Sequence, residues 1–222
     1  MNRTYDLKKT MPLMIDAANA SPPTEIVILD YNSQDDLKEY IDSVTQSKSL
    51  EKSNRLTYAK CTGRNYYHMA HARNLSVLAS NGEYIIISSC DIIPRLGFLP
   101  TIRRIIVEQD LVWVHDGVRF TGVIACKKSE FIAAGGYDER FEFYGPEDKD
   151  VNARLHRRGL KAGQYREELL GIIDTPKEEK AKNYRVKMSK WDMSKIGLAI
   201  YTQNTAENVL VANAGKAWGS WE

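Results

Sequence analysis

The sequence predicts an α/β domain with a central, mostly parallel sheet flanked by helices. Three observations carry this. Short β-branched apolar runs at 25–29 and 84–87 have the length and composition of buried strands. Segments at 35–47, 67–80 and 147–158 place apolar residues at the three-to-four spacing of a helix. The two kinds of segment alternate, separated by turn-forming Asn-Gly, Gly-Gly and Pro.

Element by element, residues 1–24 are polar, end in Ser21-Pro22-Pro23, and read as an N-terminal arm. The first strand follows at 25–29, and Asp30-Tyr31-Asn32-Ser33 ends it. Leu37, Tyr40, Ile41 and Val44 give the next helix its inner face, with Ser33 as its N-cap. A second strand is predicted at 56–60. The helix over 67–80 turns Ala72, Leu75 and Leu78 or Ala79 inward and stops at Asn81-Gly82. The strand at 83–88 is the strongest in the chain. Pro94 and Pro100 bracket a turn, a short helix covers 101–109, and strands follow at 111–114 and 123–127. A helix at 129–134 ends on Gly135-Gly136. The last predicted helix, 147–158, packs through Val151 and Leu155, with Gly159 just beyond it.

Composition excludes several classes. The 222 residues are 43% hydrophobic and 27% charged, the balance of a soluble globular chain. A net charge of +2 disfavours a dedicated nucleic-acid binder. No apolar run approaches a membrane span, and the N-terminus has no uninterrupted apolar core of a secretory signal, so a cytoplasmic location is expected. Cys61, Cys90 and Cys126 are odd in number and widely spaced, which argues against a disulfide framework or structural zinc. Residues 154–190 hold 11 basic and 5 acidic residues: either a solvated surface or a basic rim that attracts an anionic donor or acceptor.

Open α/β sheets bind ligands beyond the carboxyl ends of their strands. Beyond the strong strand stands Ser88-Ser89-Cys90-Asp91-Ile92-Ile93-Pro94. A carboxylate there suits a hard divalent cation held against phosphate oxygens, and equally suits a turn. His68 and His71 lie one turn apart on a helix, but without a further Cys or Glu they read as ordinary surface histidines rather than zinc ligands. Pro146-Glu147-Asp148 is good helix-start composition in its own right, with carboxylates on the positive end of the dipole.

YIIISSCDIIP (84–94) resembles the D-x-D strand end of GT-A fold glycosyltransferases, including family-two enzymes and the beta-1,4-galactosyltransferase branch, with its C-terminal galactosyltransferase-type segment. Asp91 holds the second Asp position, and Ser89 replaces the first. HMAHARN (68–74) is similar to the helix that precedes that strand, with Arg73 at the position that approaches the donor pyrophosphate. GGYDERFEFYGPEDKDVNARLHRRG (135–159) resembles the acceptor segment, with Tyr144, Gly145, Glu147, Asp148, Asp150, Asn152, Arg154 and Leu155 at the family offsets.

The resemblance spans about two-thirds of the chain. It implies a Rossmann-like GT-A catalytic domain over 25–176, with a donor half at about 25–95 and an acceptor half at about 96–176. A C-terminal helical extension, 177–222, packs on it. It further implies a metal-dependent hexosyltransferase that uses UDP-glucose or UDP-galactose, inverts, and needs Mn²⁺ or Mg²⁺. Asp148 would be the general base. Glu147, Tyr144 and Gly145 would bind the acceptor, a glycan or other hydroxyl. Asp30, Tyr31, Arg73 and Asp91 would hold the donor, and Asp91 with Asp174 the metal, Asp174 standing where the family has a late His.

Two other readings compete: a degenerate, non-catalytic nucleotide-sugar or glycan-binding protein, and a sugar-nucleotide pyrophosphorylase. The second is disfavoured because the turn after the first strand has no glycine for a phosphate loop. Trp191, Trp218 and Trp221 of the tail could cover the sheet, line the acceptor groove or join two subunits in a homodimer.

Overall fold

The computed structural model describes residues 1–114, 120, 122–176, 178–179 and 182–221. In chain order its helices and strands are α1 (Thr4–Asn19), β1 (Glu25–Tyr31), α2 (Leu37–Gln46), β2 (Arg55–Cys61), α3 (Met69–Ala79), β3 (Tyr84–Ile87), β4 (Ile92–Pro94), α4 (Phe98–Glu108), β5 (Leu111–Val114), β6 (Ile124–Lys127), α5 (Lys128–Ala133), α6 (Glu147–Arg157), β7 (Ala162–Tyr165), β8 (Leu170–Ile172) and α7 (Lys190–Ala206). The expected strands and helices between 25 and 158 are present within a few residues of their predicted bounds.

The sheet is less parallel than predicted, and it is divided. Parallel β1 and β2 form one pair in the register Glu25 to Arg55 through Tyr31 to Cys61. A four-stranded sheet runs β3-β6-β5-β7, in which only β5 and β7 are parallel. Antiparallel β4 and β8 make a third, small sheet. The reason lies in the second half of the chain. Only nine residues, 115–123, separate β5 from β6, fewer than a crossover to a parallel strand needs, and β6 returns antiparallel.

Side-chain alternation fixes the layers. On the β1–β2 pair, Ile26, Ile28, Leu56 and Tyr58 pack on Leu7, Met11 and Ile15 of α1 and on Leu37 and Ile41 of α2. The opposite parity, Leu29, Tyr31 and Cys61, meets Ala72 and Leu75 of α3. Ile124 and Cys126 of β6 join the core with α3, α5 and α6, while Ala125 and the preceding Val123 face α4. A half-buried pleat with helices on both sides produces this period of two.

Two local readings change. The arm at 1–24 contains a helix: Leu7, Met11 and Ile15 repeat every fourth residue and are buried. Ser33 does not cap α2, whose N-cap position is Asp36. Its hydroxyl accepts instead from the Asn2 amide at 3.1 Å. Among the described residues no helix is long and apolar enough to cross a membrane.

Candidate functional site

Helix α3 begins with His68, whose Nδ1 accepts from the His71 amide at 3.2 Å and so caps the helix. Its Nε2 meets the Glu139 carbonyl at 3.0 Å. His71 shares a 2.7 Å hydrogen bond with the Tyr31 hydroxyl. Both histidines are buried rather than on the surface, and burial pushes both imidazoles below their ordinary range. They are tie points between α3 and its neighbours. Asn74, one residue beyond Arg73, accepts from the Tyr137 amide at 2.8 Å and donates to the Tyr137 carbonyl and to Glu139, each at 2.9 Å.

Asn74 thereby grips the loop that delivers α6. Gly135 and Gly136 both have positive φ, +74° and +66°. A Cβ on Gly135 would lie 2.0 Å from the Ala212 carbonyl oxygen, and one on Gly136 2.6 Å from Asn74 Oδ1. Only glycine fits both demands. From inside α6, fully buried Arg154 donates to the Ala134 and Gly136 carbonyls at 2.6 and 2.7 Å and to Asp150 at 2.8 Å. Asn204 of α7 donates to Asp150 and Asp138 at 2.8 and 3.0 Å. Asn213 donates to the Gly135 and Tyr137 carbonyls, each at 2.8 Å. The tail thus buttresses this loop. Trp218 packs on Gly136, whereas Trp191 and Trp221 are exposed. Asp150 and Arg154, matched to the family motif, hold the backbone in place rather than face the cleft.

The opening of α6 is different. Glu147 and Asp148 are 4% and 9% exposed. Arg73 donates to Glu147 Oε1 at 3.1 Å, and the Gly145 amide donates to Oε2 at 3.2 Å. A Cβ built on Gly122 would stand 3.0 Å from Arg73 Nη2 and 3.7 Å from Asp148 Oδ2, so a glycine lets these two groups share a narrow space. Burial drives the Glu147 carboxyl up to about 7. The Asp148 charge adds to this, and Arg73 pulls against it. Burial also opposes the charge on Arg73, but the Tyr137 ring that faces it and the Glu147 and Asp148 carboxylates outweigh it and keep the guanidinium protonated. Tyr144 is 42% exposed at the lip, with Lys190 Nζ 4.2 Å from its ring centre.

In the loop beyond β3, the Asp91 carbonyl accepts from the Ile173 amide at 2.8 Å, next to the β4–β8 pairing. The Asp91 side chain, 6% exposed, is paired with Arg3 Nη2 at 3.3 Å. Arg3 also holds Asp6 at 2.5 Å and Thr175 Oγ1 at 3.3 Å. Asp174 is exposed beside this cluster. Asp30 is buried. Burial alone would raise its carboxyl, but donors from the Tyr58 hydroxyl at 2.6 Å and the Ser33 amide at 2.7 Å, with Lys60 nearby, hold it below the usual range. Tyr31 packs edge-on against Tyr67 and is almost fully covered, so it presents no open face.

One cleft of about 1800 Å³, running between β1 and β3, is lined by Tyr31, Arg73, Asp91, Tyr144, Glu147 and Asp148 together. Asp30 and Asp174 do not line it. As a cation site the donor set is thin: among the described residues no three His, Cys, Asp or Glu side chains gather, and Asp91 is already held by a guanidinium. The groups present do not form a cage for Mn²⁺ or Mg²⁺. Arg3, Tyr67 and Tyr184 also line this cleft, and the motifs did not reveal them. For Arg3 the available signal was the Leu7, Met11, Ile15 spacing, which makes its neighbourhood a packed helix rather than a loose arm.

Residues 115–188, which include α6, match the family model described as the N-terminal domain of galactosyltransferase. No curated protein matches the chain in sequence. Among solved structures, the mannosyltransferase PcManGT from Pyrobaculum calidifontis, in complex with GDP-Man and Mn²⁺, superposes with a TM-score of 0.61 at 16% identity, over 74% of this chain and 52% of its own. TarS of S. aureus gives 0.62 at 11% identity, over 88% of this chain and 40% of its own. Its 1–349 fragment in complex with UDP gives 0.54 at 11% identity, over 91% and 69%. The chain spans about half the length of the mannosyltransferase. At these identities the likeness is one of fold, and the fold is that of the GT-A glycosyltransferases.

Proposed function

We propose that this chain is a glycosyltransferase that moves a hexose from a nucleotide-diphosphate sugar, UDP-glucose or UDP-galactose, to an acceptor hydroxyl with inversion. The observation that carries the reading is the shared cleft, whose lining includes Asp91 of the loop beyond β3 together with Glu147 and Asp148 at the start of α6. The structures of TarS with UDP and of the mannosyltransferase with GDP-Man support a nucleotide ligand for this chain.

In this mechanism the acceptor oxygen attacks the anomeric carbon while a carboxylate takes its proton, and the bond to the diphosphate breaks with oxocarbenium-like charge on the sugar. Asp148 is the base. Glu147, locked on Arg73, positions the acceptor through its carboxyl, with the Gly145 backbone beneath and the exposed Tyr144 ring as a platform for a pyranose. Arg73, held on Glu147 and lining the same cleft, would supply a fixed positive charge for the one that the leaving diphosphate develops. The nucleoside would lie by the end of β1, where covered Tyr31 borders the cleft and Asp30 stays behind it, held by Tyr58 and Ser33. The mannosyltransferase complex contains Mn²⁺. Here such an ion would be offered Asp91, paired with Arg3, and exposed Asp174.

The test is incubation with a panel of UDP-sugars while UDP release is measured. Release from at least one donor is expected, and Asp148→Asn should lower it by about 10²- to 10⁴-fold, the usual contribution of a positioned general base. No release from any donor, with Asp148→Asn indistinguishable from wild type, defeats the enzyme reading. Ser89 in the place of an Asp favours one alternative, a degenerate nucleotide-sugar or glycan binder. That alternative predicts UDP binding without turnover on any acceptor.

A further inference from the structure

The loop that ends β3 is met by a residue from the opposite end of the sequence. Arg3 precedes the first turn of α1, and that helix packs on β1, α2 and β4. Its guanidinium is only 20% exposed and lies within the cleft, 2.5 Å from Asp6 and 3.3 Å from both Asp91 and Thr175 Oγ1. Thr175 in turn donates to Asp6 Oδ1 at 3.1 Å, which fixes the pair from the other side. An exposed surface ion pair would be of little consequence, but this group is embedded in two carboxylates and a hydroxyl drawn from three separate parts of the chain.

We propose that Arg3 is a donor-site residue: fixed on Asp91, its guanidinium is the cation that faces the diphosphate of the nucleotide sugar, and nucleotide binding by this chain needs no divalent ion. The inference rests on the glycosyltransferase reading above. It follows from the mismatch between the donor set and a metal cage. Ser89 brings no charge, Asp174 is exposed and outside the cleft lining, and Asp91, the carboxylate of the loop beyond β3, is paired with a guanidinium. A planar guanidinium has more N–H donors than two carboxylates occupy, so it can stay anchored and still donate to a phosphate oxygen. Without it, Asp6 and Asp91 would leave that region negative and repel a diphosphate. Arg73 approaches the same cleft from α3, so the diphosphate would lie between two arginines.

The experiment is calorimetric titration of UDP into the full chain, in EDTA and again in Mn²⁺, for wild type, Arg3→Ala and Arg3→Lys, with circular dichroism confirming the fold of each. Wild type should bind equally in both buffers. Arg3→Ala should bind about 10- to 100-fold more weakly in both, the usual loss of a charge-assisted hydrogen bond, and Arg3→Lys should fall between. Wild-type binding that appears only with Mn²⁺ overturns the proposal. So does an Arg3→Ala variant that binds as tightly as wild type, or more tightly once Mn²⁺ is added, because Arg3 would then be a competitor at Asp91. Folded wild type that binds no UDP in either buffer removes the nucleotide-sugar reading first, and this proposal with it.

Discussion

Glu147 makes a thermodynamic prediction independent of any substrate. Its carboxyl is raised from an ordinary 4.5 to about 7, first by burial and then by Asp148, against the pull of Arg73. The folded protein therefore holds this proton more tightly than the unfolded chain does. Ionising Glu147 in the fold costs about 3 kcal/mol more than in the unfolded chain, because each pH unit of displacement is worth about 1.4 kcal/mol. The sign follows. This group favours the fold most below pH 4.5, progressively less between pH 4.5 and 7, and its full cost is present above pH 7. His68 and His71 act in the opposite sense, since burial holds them neutral and their contribution is lost as pH falls through and below 6.5.

A single stability curve would mix these effects, so the measurement is a difference. Urea unfolding of wild type and Glu147→Gln at intervals from pH 4 to 8 cancels the histidines, and Gln imitates the protonated carboxyl. Wild type should lose about 3 kcal/mol relative to the variant between pH 4.5 and 7, with a plateau beyond. A flat difference refutes the buried-carboxyl argument. A difference of opposite slope would mean that the Arg73 pair outweighs desolvation.

Three further outcomes follow from the packing. Arg154→Met strands Asp150 and two loop carbonyls and should cost about 3–5 kcal/mol in urea unfolding, as removal of one partner of a buried pair does; a loss under about 1 kcal/mol would show that the network is not needed. Gly135→Ala must bear a positive φ and a Cβ driven into the Ala212 carbonyl, so a loss of at least about 1–3 kcal/mol is expected, with unchanged stability as the contrary result. Burial, with Glu130 nearby, pushes the Cys126 thiol up to about 12, and burial raises Cys61 as well. Iodoacetamide at pH 8 should label neither in the native protein and both in urea, and rapid native labelling would contradict their burial.

Much of the fold was legible because its signals are local. Ile26, Val27 and Ile28, then Ile85, Ile86 and Ile87, announce strands by β-branching alone, and Val151 with Leu155 announces a helix face. The segments that escaped are those whose stability is tertiary. β7 is Ala-Gly-Gln-Tyr and β8 is Leu-Gly-Ile, too short and too glycine-rich to declare themselves; they exist because β5 and β4 offer them edges. α1 was masked by its charged residues and by Pro12, although every fourth residue of it is apolar.

At the site, sequence placed Asp91, Arg73, Glu147 and Asp148 among the candidates, and the fold brings all four to one cleft. Sequence could not separate that pair of carboxylates from Asp150, three residues past Glu147. Asp150 and Arg154 are one helical turn apart, a spacing that serves a structural ion pair as readily as a binding motif. Arg3 was invisible for another reason: nothing near residue 3 indicates that the chain returns it to residue 91.

The most direct test is a crystal soaked with UDP. The account predicts the diphosphate between Arg3, held on Asp91, and Arg73, with Asp148 facing it across an open space that a sugar can fill. A nucleotide bound elsewhere, or one whose diphosphate lies out of reach of both arginines, would contradict it.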